Sequence, residues 1–217
     1  VPPSIPRRSP LTEPVRHEPT LPRAFYETDA VALAIALLGK RLCAETPLGT
    51  LSGSITETEA YCGVTDRASH AYGGRRTART ETMYLPGGYA YVYLIYGLYA
   101  CLNVTASKED DPQAVLIRGI LPSDNLPLFY ENWRANTRAK KPTPPRIEKL
   151  ADGPGKVCSV MGITRAWNGI SLTEPTAPNR LWITDTGDAP DYTASPRVGI
   201  DYAGEDRDRP WRFTIRK

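Results

Sequence analysis

Two carboxylates and an aromatic ring share one short segment, Ile55-Thr56-Glu57-Thr58-Glu59-Ala60-Tyr61. Extended backbone sends alternate side chains to opposite faces, so a strand here would set Ile55, Glu57, Glu59 and Tyr61 on one face. A carboxylate beside a ring can hold a base, although two unburied carboxylates on a solvated strand face need do nothing unusual. Downstream, Arg67, Arg75, Arg76 and Arg79 cluster around Gly73-Gly74, with His70 and Tyr72 among them. A flexible, basic and aromatic loop suits a phosphate backbone, and equally a plain solvated surface. The run from Tyr89 to Thr105 then holds five tyrosines, at positions 89, 91, 93, 96 and 99, a density that asks for a ligand with flat faces. Tyr89, Tyr91 and Tyr93 recur at the period of a strand, and Gly97 supplies backbone freedom where a turn is needed. Tyr96 then rides at the tip, either covered by a neighbouring element or offered to a partner as a wedge. The preference of aromatics for cores favours a covered Tyr96.

These groups need elements to carry them. Val31, Leu33, Ala34, Ile35, Leu37 and Leu38 predict a core helix from Thr28 or Asp29 to about Leu38, with Gly39 after it. Strands are expected at 41–45, 51–61, 90–105 as a pair, and 114–121, with turns at Pro47-Leu48-Gly49 and Gly87-Gly88. A second helix is expected over 128–138 and a third over 155–161, with Pro154 near its start and Gly162 at its end. Closing strands are expected at 181–184, 197–202 and 211–216. This order predicts a mixed α/β (α+β) fold in a single domain, with a curved, mostly antiparallel sheet, flanking helices and a protruding β-hairpin. Residues 1–22, with Pro2, Pro3, Pro6, Pro10, Pro14, Pro19 and Pro22 beside Arg7, Arg8 and Arg16, read as an N-terminal arm, leaving 23–217 as the domain.

At 217 residues and 41% hydrophobic content the chain can bury a full core. Its formal charge of +3 permits an anionic polymer as partner without demanding one. Cys43, Cys62, Cys101 and Cys158 form no Cys-x-x-Cys pair, and His17 and His70 are the only histidines, so metal-free chemistry without a cofactor is expected. No apolar run approaches a membrane span and no apolar signal core opens the chain, which predicts no membrane association and a reducing intracellular location, in the cytoplasm and nucleoid or the nucleus.

Thr58-Glu59-Ala60-Tyr61, Ala68-Ser69-His70 with Gly73-Gly74-Arg75, the run Tyr91 to Tyr99, Asn103, Leu116-Ile117-Arg118, Gly153-Pro154-Gly155-Lys156 and the segment Arg197 to Gly204 together resemble the alkyladenine (3-methyladenine, N-methylpurine) DNA glycosylase family. The ordered series spans roughly 23–217 and is far more specific than any member of it. The resemblance implies a monomer that flips an alkylated or deaminated purine out of damaged double-stranded DNA and hydrolyses its N-glycosidic bond. By the same resemblance Glu59 is the general base, Arg118 helps hold the water and an adjacent phosphate, and Tyr61, His70 and Tyr93 are walls of the base pocket. Asn103 meets the exocyclic amine of guanine, and Tyr96 becomes the intercalating plug, exposed without DNA, which reverses the covered reading. Arg75, Arg76, Arg79 and Lys156 are candidates for phosphate contact.

The hairpin offers a test of register. For Tyr93 and Asn103 to share a face, antiparallel pairing requires an odd loop such as Tyr96-Gly97-Leu98, or a bulge. Two departures from the family stand out: Thr80-Glu81-Thr82 follows Arg79 where a second basic residue is usual, and 107–113 is unusually acidic. Glu81 is expected to weaken nonspecific DNA binding. Lys156 reads as a helix-start or phosphate lysine rather than a Schiff-base nucleophile. A noncatalytic nucleic-acid-binding module is the rival from another class, since fold alone assigns no activity; a nucleotide-flipping enzyme of RNA ranks behind both.

Overall fold

The computed structural model describes residues 19–137, 140, 142–174 and 180–216. Most of the predicted arm lies outside the described residues. Its last part already packs on the body: Leu21 is buried, its N–H donates to the Ile183 carbonyl at 2.9 Å, and Thr20 bridges to Thr184.

Two short helices follow, α1 (Arg23–Tyr26) and α2 (Ala30–Ala36). The Asp29 carboxylate caps α2 by accepting the N–H groups of Val31 and Ala32 at 3.0 and 2.9 Å. The strands β1 (Arg41–Thr46), β2 (Gly49–Tyr61), β3 (Ala90–Ile95), β4 (Tyr99–Ala106) and β5 (Gln113–Asp124) come next, then helices α3 (Leu126–Asn136), α4 (Ile147–Leu150) and α5 (Pro154–Met161). Pro154 opens α5 and Gly162, at φ 70°, closes it, as the sequence predicts. Helix α3 answers to the helix expected over 128–138 and begins two residues earlier, at Leu126, and ends at Asn136; Arg138 lies outside the described residues.

β6 (Arg180–Thr184), β7 (Tyr192–Ser195) and β8 (Arg212–Ile215) complete one sheet of order β3-β4-β5-β2-β1-β6, with β8 joined to β2 and β7. Every strand pairing described is antiparallel. The long β2 carries the sheet: its first half pairs with β1, its second half with β8, and β5 runs along its other edge. Helix α2 packs across β2, where the Thr58 hydroxyl donates to the Ala34 carbonyl at 2.8 Å.

One predicted strand is absent. Residues 197–200 form no strand, and 201–208 wind as short 3₁₀ turns, while the strand pairing with β8 is β7, over 192–195. The physical reason is long-range: Arg197 is buried in an ion pair and the Val198 N–H donates to a side chain, so this segment offers no free ladder edge. The β3–β4 hairpin has the odd loop that register demands. Tyr93 pairs with Cys101, Tyr91 with Asn103 and Ile95 with Tyr99, leaving Tyr96-Gly97-Leu98 as a three-residue loop. Tyr96 and Gly97 take φ of 53° and 69°, and the Leu98 N–H donates to the Ile95 carbonyl.

Candidate active site

Strict alternation along β2 fails at one point, and the failure shapes the site. Ile55 pairs with Ile120 and Glu57 with Gly119, so Thr56 is an extra residue on β2; Thr58 pairs with Ile117, so Arg118 is an extra residue on β5. The two bulges restore register, and each re-aims a side chain. Ile55 is buried in the main hydrophobic core. It does not stand beside Glu57, Glu59 and Tyr61 as the plain period of a strand predicts, because the bulge intervenes. The bulged Arg118 lies between two carboxylates, its Nε 2.9 Å from Glu57 Oε1 and its Nη1 3.4 Å from Glu59 Oε1.

Glu59 has no solvent-exposed surface. Strands β5 and β8 flank it, at Leu116 and Arg212. Its Oε2 accepts the Tyr61 hydroxyl at 2.9 Å, the partner that two-residue spacing places on the same face, and its Oε1 accepts the Val198 N–H at 2.8 Å. Burial raises its pKa above the usual carboxylate value, while Arg118, the Val198 N–H, the Tyr61 hydroxyl and Arg197 pull it back. Oε1 thus has two partners, Val198 and Arg118, and Oε2 has one, so Oε2 keeps a free acceptor direction, while the carboxylate itself is closed off from solvent and does not line the cavity.

A cavity of about 450 Å³ opens beside this group, lined by Tyr61, His70, Tyr93, Asn103 and Arg118, with Tyr96 at its edge. That volume falls in the usual range for small-molecule sites. The tyrosines of β3 divide by position. Tyr91 is buried, Tyr93 is partly exposed toward the cavity, and its ring meets His70 edge-on at 4.6 Å. Asn103 is buried, and its Nδ2 donates to the Tyr91 carbonyl across the strand pair at 3.1 Å, leaving Oδ1 as the acceptor. Tyr96 is 90% exposed, with Leu98 and Tyr99 also exposed beside it.

His70 is held by two partners. Its Nδ1 lies 2.9 Å from the Tyr91 hydroxyl and its Nε2 lies 3.3 Å from Arg79 Nη2. A guanidinium can only donate, so Nε2 is the acceptor and Nδ1 carries the proton. Burial, with Arg79 and Arg75 nearby, pushes the imidazole down to about 4, and the ring is neutral at pH 7.

The four cations assigned to phosphate occupy different settings. Arg75 is exposed and forms no ion pair among the described residues. Arg76 is engaged by Glu81 at 2.7 Å and Asp110 at 2.6 Å and stacks on Tyr84, so the two acidic departures from the family pattern converge on it. Arg79 lies against the cavity, its guanidinium 5.3 Å over the Tyr93 ring. Lys156 is 2.6 Å from Asp152 and lines a separate groove between the hairpin and α5.

Sequence reasoning missed the support behind Glu59. Asp66 and Arg197, 131 positions apart, form a fully buried bidentate pair at 2.6 and 2.8 Å, and Arg197 also donates to the Ala60 carbonyl at 2.8 Å. The Arg197 guanidinium lies between Tyr61 and Trp211, at 4.8 and 5.0 Å from the ring centres. This anchors the segment whose next residue, Val198, reaches Glu59. The only hint was a lone arginine at the head of an apolar, glycine-bearing stretch.

Comparison with known proteins bears on the family of the chain. The sequence pattern described as methylpurine-DNA glycosylase matches residues 24–217. A Clostridium novyi protein is 43% identical over 196 residues, covering 90% of this chain and 94% of its own length. A Clostridium botulinum protein is 45% identical over 196 residues, covering 90% and 95% respectively. One from Methanocella arvoryzae is 44% identical over 195 residues, covering 90% and 92%. The names of all three include the words 3-methyladenine DNA glycosylase.

Proposed function

Since this chain belongs to the methylpurine-DNA glycosylase family and is a DNA glycosylase, we propose that it acts as a monomer on damaged duplex DNA, flipping an alkylated or deaminated purine into the aromatic cavity and hydrolysing its N-glycosidic bond. 3-Methyladenine and 7-methylguanine are its substrates, with hypoxanthine and ethenoadenine as neutral ones. The observation that carries this reading is the buried Glu59 carboxylate, held from Tyr61, Val198 and Arg118 at the side of a cavity walled by rings.

A base inside a duplex is out of reach, so it must be unstacked at a cost of a few kcal/mol, less where damage has already weakened pairing. Tyr96 enters the gap from the minor groove and offsets that cost, as apolar wedges do elsewhere. The rings of Tyr61, His70 and Tyr93 then receive the base, and Asn103 stands where an exocyclic amine of guanine would meet it. As the C1′–N bond opens, the sugar gains oxocarbenium character. Glu59 takes a proton from the attacking water, and Arg118 helps orient that water and an adjacent phosphate. Charge complementarity and positioning carry the rate. Lys156, paired with Asp152 in the neighbouring groove, is not needed as a nucleophile.

Glu59→Gln tests the reading. Base release from a single-lesion duplex should fall about 10²-fold or more, the usual scale for a general base, while binding to the same duplex is retained. The wild-type rate should also decline as pH falls, because the acting carboxylate must be ionised. Its burial sets that decline above the ordinary value of 4.5. A wild-type protein that binds damaged DNA yet releases no base would leave only the binding-module reading.

A further inference from the structure

Arg79 is set apart from the other cations near the cavity by lining it without an ion pair; Arg75, also unpaired among the described residues, does not line it. Arg118 is neutralised by Glu57 and Glu59, and Arg76 by Glu81 and Asp110. Arg79 is an exposed residue that lines the cavity and forms no ion pair among the described residues; its contacts include the His70 Nε2 lone pair, the Tyr91 hydroxyl and the face of Tyr93. A net positive charge therefore stands at the wall of a pocket meant for purines. We propose that Arg79 is a specificity residue: its guanidinium favours release of neutral purines and works against capture of cationic, alkylated ones. This rests on the glycosylase reading above.

The electron bookkeeping shows why. When the bond from C1′ to the purine nitrogen breaks, its electron pair goes to the departing base, the water oxygen bonds to C1′, and Glu59 takes the water proton. A purine alkylated on the ring leaves neutral, having carried its positive charge beforehand. A neutral purine such as hypoxanthine leaves as an anion, which solvent protonates afterwards. Something must stabilise that anion, and two of the groups that wall the cavity have no proton free to offer it. His70 presents an unprotonated Nε2 and is neutral at working pH, and the Tyr61 hydroxyl is already given to Glu59. The Arg79 N–H groups supply donors and charge together. A cationic lesion meets the same charge as repulsion, and Arg79 already draws on the Tyr93 face that would otherwise receive it.

The test measures single-turnover release from duplexes carrying one hypoxanthine or one 7-methylguanine, with wild type, Arg79→Gln and Arg79→Lys. Thermal melting of each variant checks folding. For Arg79→Gln the hypoxanthine rate should fall about tenfold further than the 7-methylguanine rate, a modest effect beside the roughly 10²- to 10³-fold of a buried oxyanion donor because this guanidinium is partly solvated. Arg79→Lys should recover part of that ratio. Binding of undamaged duplex across a salt series separates the alternative: if Arg79 is only a phosphate contact, Arg79→Gln lowers the salt slope by about one and slows both substrates alike. Equal losses on both substrates, an unchanged ratio, or a wild-type enzyme that releases 7-methylguanine and no hypoxanthine overturns the proposal. Release of neither base by wild type would instead remove the glycosylase reading beneath it.

Discussion

His70 shows how one residue couples the site to solution conditions. Its neutral imidazole joins Tyr91, Tyr93 and Arg79, and protonation would put a second cation against a guanidinium. Folding lowers its pKa from 6.5 to about 4, so between those values the unfolded chain binds more protons than the folded one. Stability from this group is thus fully present above the upper value and is lost as pH falls toward the lower. At about 1.4 kcal/mol per tenfold change in proton affinity, that loss is on the order of 3.5 kcal/mol. Urea unfolding at several pH values should therefore show a shallower acid-side fall in stability for His70→Gln than for wild type. Parallel profiles would mean that the ring is not held neutral. A ring held neutral in this way is a poor acid for neutral lesions, in keeping with the role proposed above for Arg79.

At the scale of elements, the β3–β4 hairpin spends stability for reach. Tyr96 has φ 53°, a left-handed conformation that side-chain-bearing residues adopt at a cost of about 1 kcal/mol or more, and it has no core to repay that cost. Tyr96→Gly relieves the strain, so its melting temperature should equal or exceed that of wild type. Flipping, followed by the fluorescence of 2-aminopurine beside a lesion, should weaken at least about tenfold if a wedge must fill the vacated stack. A variant that flips normally would return Tyr96 to an incidental surface role. The loop from Tyr72 to Tyr84 follows a different logic, because Glu81 and Asp110 hold Arg76 on the Tyr84 ring while Arg79 turns to the cavity. An arginine-rich loop thus presents less phosphate-seeking charge than its composition suggests.

Across the whole molecule, the site depends on segments far apart in the chain. The turn after β2 holds Asp66, the segment before β8 holds Arg197, and their buried pair fixes where Val198 meets Glu59. Removing one partner of such a pair leaves an uncompensated charge in the interior, at about 3 to 5 kcal/mol. Asp66→Asn should lose that order of stability in urea unfolding and, under conditions where it stays folded, should release base more slowly as the Val198 contact loosens. A loss below about 1 kcal/mol would mean that water reaches the guanidinium. Among the described residues, no helix is long and apolar enough to cross a membrane.

Local chemistry in the sequence determined a helix beginning near Asp29, the close of α5 at Gly162, and the residue types gathered for the site, because caps, turns and strand periods act over a few residues; the odd loop at the hairpin tip followed from register once Tyr93 and Asn103 were set on one face. The family itself was legible in the ordered motifs. The tertiary structure decided what each charge does. Paired bulges on β2 and β5 set Arg118 between Glu57 and Glu59 and sent Ile55 into the core, and a segment that reads as a strand became the loop that donates to Glu59. Arginines of like appearance were sorted into a quenched one, an exposed one and one beside the cavity. The physical reason is that burial and ion pairing depend on which distant groups share the same small volume, and only closure of the sheet brings them there.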